Sequence, residues 1–249
     1  MNFRVPDPYR ALILDEIDST NEEAKRRAEV GEAGGLFILA RTQTAGRGRR
    51  GREWASGKGN LFATLLLRPQ VTPQKAAELS FVAANAVAET FESLGASSAT
   101  VKWPNDVLLA GAKAAGILLE SSARNARLDW LAIGMGLNLS SAPTSTPYPA
   151  TSLKAETGCS PPDPAEVLPI LAGHWARGYE GWEEEGFTRV RASWLARAEG
   201  LGRRIIARLE AEEIAGNFVD LSETGELVMD TREGRRLISA GEIFFARSN

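Results

Sequence analysis

Seven consecutive residues, Gly46-Arg47-Gly48-Arg49-Arg50-Gly51-Arg52, hold four arginines and three glycines. Glycine permits positive φ and lets a ligand approach the backbone, and successive N–H groups in such turns form concave anion sites. Arginine adds planar, permanently charged donors that match phosphate or carboxylate oxygens. The segment therefore suits a small ligand rich in phosphate. A solvated basic loop and a nucleic-acid-binding arm are the competing readings of the segment alone. Base stacking would be limited to Trp54. The segment also lacks the Gly-Lys-Ser/Thr ending of a Walker loop.

Three further groups could carry chemistry. Lys102-Trp103-Pro104-Asn105-Asp106 packs a cation, an aromatic and two polar side chains between apolar runs. Asn and Asp alone are explained by turn formation, whereas Trp and Lys are not. Lys113 follows at a Gly111-Ala112 turn and reads as either a solvated hairpin lysine or a donor to an anion or carbonyl oxygen. In Gly134-Met135-Gly136-Leu137-Asn138, two missing side chains let a ligand lie flat on a strand, or let the sheet pack closely. His174 and Cys159, the only residues of their types, have no partner at motif spacing and read as structural.

These residues need a scaffold. Ala11–Leu14, Gly35–Ala40, Leu61–Leu67, Val101, Val107–Leu109, Gly116–Leu119 and Leu131–Leu139 read as strands. Ser19 and Glu22 have capping-box spacing and predict a helix to about Val30. A single long helix is expected from Pro73 to Gly95, with one apolar stripe through Ala77, Phe81, Ala84, Val87, Ala88 and Phe91. Residues 140–149 read as an irregular loop, followed by helices over 164–185 and 187–198. Four short strands follow, at 203–209, 217–220, 225–229 and 242–245. The expectation is α+β: a mixed sheet with flanking helices over 1–200, and a small β-barrel of four or five strands over 201–249.

Composition bounds the function. Of 249 residues, 43% are apolar and 24% charged, which excludes disordered, collagen-like and membrane-spanning classes. The 29 basic and 32 acidic residues leave a net charge of −3, which predicts no polyanion partner from whole-chain electrostatics. One cysteine and one histidine exclude a disulfide framework and multi-His or Cys-based metal sites. The first residues lack the apolar run of a signal peptide, so the expected location is the cytoplasm, with no membrane role.

In combination and order the motifs are more specific than any one of them. Asp18-Ser19-Thr20-Asn21, Gln43 ahead of the Arg/Gly segment and Trp54, Lys102 to Asp106, Lys113 with Gly116 to Glu120, Gly134 to Asn138, and Thr151-Ser152-Leu153 resemble the biotin–protein ligase family. Gly202-Arg203-Arg204 and Gly241-Glu242-Ile243 resemble its SH3-like C-terminal domain. The resemblance implies a catalytic fold like that of class II aminoacyl-tRNA synthetases. It also implies a two-step reaction in which biotin and MgATP give biotinyl-5′-adenylate, which then acylates a lysine of a biotin carboxyl carrier domain. By motif position it implies that Ser19, Thr20, Asn21 and Gln43 hold the ureido ring of biotin and that Gly116, Gly134 and Gly136 line its slot. Arg47, Gly48, Arg49 and Lys113 would wrap the carboxylate and α-phosphate, with Arg49 and Lys113 catalytic. Arg52, Lys102, Asn105 and Asn138 would serve ATP, Asn138 also being a candidate ligand for its Mg²⁺. Asp106 would align or deprotonate the attacking lysine. The first motif begins at Asp18, leaving no room for the helix-turn-helix domain of some relatives, so specific DNA binding is not expected; a homodimer stays open. A lipoate or octanoate ligase of the same fold and a nucleic-acid-binding module are the alternatives.

Overall fold

The computed structural model describes residues 4–245. Both chain ends, 1–3 and 246–249, which the expected domains 1–200 and 201–249 include, lie outside the described residues. Seven strands form the main sheet: β1 (Arg10–Ile17), β2 (Leu36–Gln43), β3 (Leu61–Leu67), β4 (Ala99–Lys102), β5 (Asp106–Leu109), β6 (Ala112–Arg124) and β7 (Arg127–Leu137). Their order is β1-β2-β3-β7-β6-β5-β4. Only β1 and β2 are parallel, because the helix α1 (Thr20–Glu29) carries the chain between them in a crossover.

The alternation of side chains along the strands assigns the two faces. In β3, Leu61, Ala63, Leu65 and Leu67 join the large core beneath the other helices, whereas Leu66 packs with Ala24 and Ala28 of α1. All seven β3 residues are buried, as a central strand covered on both faces must be. The large core takes in α2 (Pro73–Ala77), α3 (Leu79–Ser93), α5 (Pro164–Glu185) and α6 (Phe187–Leu195); α4 (Leu153–Thr157) is a single turn after the irregular loop. The second sheet is antiparallel, in the order β11-β10-β9-β8-β12, from β8 (Arg204–Arg208), β9 (Glu213–Leu221), β10 (Leu227–Thr231), β11 (Gly234–Ile238) and β12 (Glu242–Phe245).

The mixed sheet, the flanking helices and the C-terminal β domain are therefore as expected, with four local differences. The helix expected over 73–95 is two, parted at Glu78, whose side chain takes the buried Trp182 indole N–H at 2.6 Å and Lys75 Nζ at 2.7 Å. α3 is buried on nearly every side instead of along one stripe, since α5, α6 and the sheet all pack on it. Ser19 is the N-cap of α1 but its hydroxyl caps nothing, and Glu22 pairs with Arg47 in place of closing a capping box. α4 and β11 were not anticipated; α4 is opened by Ser152, whose hydroxyl accepts from the Ala155 N–H.

Candidate functional site

The C-terminal end of β1 and the start of α1 place Ser19, Thr20 and Asn21, only 3–5% exposed, over the middle of the sheet. Burying such side chains requires partners. Gln43 Oε1 accepts from both the Thr20 N–H (2.9 Å) and hydroxyl (3.1 Å). The hydroxyl of Thr64 donates to Asn21 Oδ1 (2.6 Å), and Asn21 Nδ2 donates to Glu120 (2.7 Å). Thr64 was missed at the sequence level, although a lone threonine within Leu61–Leu67 was the available sign.

The three expected glycines form the floor of one cleft, and the structure says why each lacks a side chain. A Cβ on Gly134 would stand 2.3 Å from Asn21 Oδ1. On Gly116 or Gly136 it would stand 2.9 or 2.6 Å from the Trp54 ring. The glycines thus seat Asn21 and the Trp54 indole against the strands, and the indole forms one wall of the cleft. Gly46, whose Cβ would meet Trp54 O at 2.8 Å, anchors the Arg/Gly segment against the same loop. Gly46, Gly48 and Gly51 stand at Gly-x-Gly-x-x-Gly spacing, but only a 3-10 turn at Arg49–Gly51 follows. The helix that a dinucleotide fingerprint needs is missing.

A β-bulge aims Lys113. Leu108 pairs with Lys113 but Val107 with Ala115, so Ala114 is the extra residue of β6. In a regular strand residues 113 and 116 would face opposite ways; the bulge brings Lys113 Cε to 3.5 Å from a Cβ on Gly116. Lys113 Nζ lies 2.6 Å from Asp106 Oδ1, and 5.4 and 5.2 Å from the ring centres of Trp54 and Tyr148. Asn105, in the turn with the cis Trp103–Pro104 peptide, donates to Ile117 O at 2.7 Å.

The four arginines of the segment are not equivalent. Arg47 is paired with Glu22 and lies 3.7 Å from Glu120, and Arg52 is paired with Glu242 of β12. Arg50 takes φ +56° and is exposed. Of these four, and among the described residues, Arg49 alone lines the cleft without a carboxylate within 4 Å, its Nη1 3.4 Å from Asn105 Oδ1. Burial, with Arg50 nearby, lowers its pKa from the usual guanidinium range. Lys102 is likewise lowered by burial, its ammonium 5.6 and 5.7 Å from the rings of Phe244 and Phe245. Two partly desolvated cations facing one cleft make a strong attractor for a polyanion.

Of the expected site residues, Ser19, Thr20, Asn21, Gln43, Arg47, Gly48, Arg49, Arg52, Lys102, Asn105, Asp106, Lys113, Gly116, Gly134 and Gly136 all line this cleft. Asn138 does not. It is 2% exposed, and its Nδ2 donates to Thr151 O at 3.1 Å, so it braces the loop after β7, its Oδ1 buried without a partner among the described residues. Glu242, Ile243 and Phe244 complete the lining from the C-terminal sheet. His174 has an acid partner after all, Glu89 at 2.8 Å, but across two helices and away from the cleft.

The family model described as Biotin/lipoate A/B protein ligase family matches residues 14–138, and that of the Biotin protein ligase C terminal domain matches residues 200–246. A Biotin--[acetyl-CoA-carboxylase] ligase of Paracoccus denitrificans is 44% identical over 94% of this chain and 99% of its own length. The chain belongs to the biotin protein ligase family. Its similarity to other biotin protein ligases extends to the fold. The Aquifex aeolicus biotin protein ligase in complex with biotin and ATP superposes with a TM-score of 0.81 at 31% identity, covering 96% of this chain and 99% of that one. The Leishmania major ligase in complex with biotinyl-5-AMP gives 0.66 at 26% identity, covering 94% and 100%.

Proposed function

We propose that this chain is an ATP-dependent ligase that activates biotin as biotinyl-5′-adenylate and transfers it to a lysine of a biotin carboxyl carrier domain. The observation that carries the reading is one cleft with two chemistries. A hydrogen-bonding end at Ser19, Thr20, Asn21 and Gln43 suits a ureido ring, and a cationic end at Arg49, Lys102 and Lys113 suits a carboxylate beside a triphosphate. In the first step a biotin carboxylate oxygen attacks the α-phosphorus and pyrophosphate leaves. Two anions resist that approach, and Arg49 and Lys113 offset the repulsion and the charge that builds on the phosphoryl oxygens. In the second step the neutral amine of the acceptor lysine attacks the acyl carbon, AMP leaves and an amide forms. Asp106, within the same cleft, takes the ammonium of that lysine and its proton.

ATP enters as MgATP. No group of three or more His, Cys, Asp or Glu side chains placed to hold a metal occurs among the described residues. Residues 1–200 form the catalytic part and 201–249 the smaller domain, which lends Glu242 and Phe244 to the ATP end. No helix among the described residues is long and apolar enough to cross a membrane, and the free thiol of Cys159 suits a reducing compartment, so we place the reaction in the cytoplasm.

Incubation with biotin, MgATP and an apo carrier domain, followed by mass measurement, tests the reading: the carrier gains one biotinyl group. Exchange of pyrophosphate into ATP driven by lipoate and not by biotin would transfer the assignment to a lipoate ligase. Salt-sensitive RNA or DNA binding without biotinylation would favour the nucleic-acid module.

A further inference from the structure

Tyr148 lies in the irregular stretch between β7 and α4, outside every motif that marks the family in this sequence. Its ring centre is 5.2 Å from Lys113 Nζ, which also lies 2.6 Å from Asp106 Oδ1 and 5.4 Å from the ring centre of Trp54. The backbone holds this stretch beside the lysine. The Lys113 N–H donates to Pro149 O and the Thr151 N–H donates to Lys113 O, both at 2.9 Å, so the residues just after Tyr148 are tied to the main chain of Lys113. No hydrogen bond involves the Tyr148 hydroxyl among the described residues; its hydrogen-bonding neighbour, Thr146, reaches only the Tyr148 carbonyl.

A lysine head on a four-carbon stem loses considerable rotamer freedom when it must stay in one place. An aromatic face lowers that cost by attracting the cation at a set distance without neutralising it, as a carboxylate would. We propose that Tyr148 is a positioning residue for adenylate formation: its ring, together with Trp54, holds the Lys113 ammonium at the junction of carboxylate and α-phosphate. The role rests on the ligase reading. It assigns to the loop of residues 140–150 a part in the first half-reaction, and it requires the π-face of residue 148 but not its hydroxyl.

Three variants, Tyr148→Phe, Tyr148→Leu and Tyr148→Ala, separate the ring from bulk and from the hydroxyl. The readout is biotin-dependent exchange of pyrophosphate into ATP, with thermal melting as the control for folding. Tyr148→Phe retains kcat within about twofold, while Tyr148→Leu and Tyr148→Ala each lose about tenfold, the scale of one well-placed cation–π contact. KM for biotin and for ATP changes less than kcat, because the contact acts on the lysine and not on either substrate. Equal activity of the Leu and Phe variants would overturn the proposal, as would a loss confined to KM or an unaffected Ala variant. The wild type run alongside separates the two readings: if it fails to exchange, the ligase reading itself falls, whereas an active wild type with an active Ala variant removes only Tyr148.

Discussion

Charge in the cleft is allotted residue by residue. Arg47 and Arg52 already have carboxylate partners, Glu22 and Glu242, so their guanidiniums brace the loop to α1 and to β12. Among the described residues, Arg49 and Lys102 have no carboxylate partner within 4 Å, whereas Lys113 shares its charge with Asp106 and lies near two aromatic rings. The proposed step draws on Arg49 and Lys113 to meet the negative charge that develops. Replacing Lys113 by alanine is expected to lower adenylate formation by roughly 10²–10³, the usual cost of one preorganised donor. Its side chain ends in the cleft and not in the core, so the melting temperature of Lys113→Ala should stay near that of the wild type. Pyrophosphate exchange and thermal melting on the same preparation check both halves; near-normal exchange would remove Lys113 from the chemistry. Which residues line the cleft was legible in the sequence from the motifs taken together, because no single cluster excluded its structural reading. How the charges pair was not, since Glu242 is 190 positions from Arg52 and no local pattern joins them.

Elements were legible where periodicity and punctuation agreed and obscure where a distant contact decided. Leu61–Leu67 and Pro164–Glu185 appear at their expected limits, the first a run of buried residues, the second opened by Asp163 in a closed capping box. The break at Glu78 and the bulge at Ala114 left no periodic trace, yet the bulge is what turns Lys113 toward Gly116. At the entry to α1 the sequence offered Ser19 and Glu22 as a cap; instead Asp18 accepts Arg26 at 2.8 and 2.9 Å and the Ser19 N–H at 2.7 Å. The Arg26 hydrogen bond, against a smaller opposing cost of desolvation, lowers the Asp18 pKa from 3.8 to about 2. A carboxylate depressed in the folded state lends stability that is present above pH 3.8 and is lost as the pH falls toward 2. Acid unfolding between about pH 4 and pH 2 should therefore be shallower for Asp18→Asn, which keeps the acceptor for the Ser19 N–H but no longer titrates. Denaturant midpoints measured at intervals across that window test it, and parallel slopes for the two proteins would show that the pair contributes nothing.

At the scale of the whole molecule, the cleft is finished by a domain that could have been an independent appendage. The packing argues otherwise. Ile205, Phe218, Met229 and Ile243 of the second sheet belong to one continuous apolar core with α3, α5 and α6. Edge-to-face contacts run from Phe187 to Phe81 (5.2 Å), to Trp194 (5.5 Å) and to Phe218 (6.4 Å). Main-chain bonds between Val101 and residues 197 and 199 tie the connecting segment to β4, and the Trp103 indole donates to Gly225 O at 3.2 Å. The turn that carries Asn105 and Asp106 is thereby held from both sides of the domain boundary. Such continuity predicts that the two sheets unfold as one cooperative unit. Phe218 is the probe of choice because it is wholly buried, sits in the second sheet, and touches Trp194 across the boundary. Phe218→Ala should cost about 3–5 kcal/mol, as a core Phe→Ala does, and should move a single transition as a whole. Denaturation followed by tryptophan fluorescence and by far-ultraviolet circular dichroism reads this directly. Five of the six tryptophans, Trp54, Trp103, Trp130, Trp175 and Trp182, lie in the catalytic part ahead of α6. Coincident curves shifted together mean that the C-terminal sheet shares the stability of the catalytic part. Two separate transitions, an early one in circular dichroism ahead of the main change in tryptophan fluorescence, would mean that the domain melts alone and that its hold on Arg52 and Trp103 is incidental.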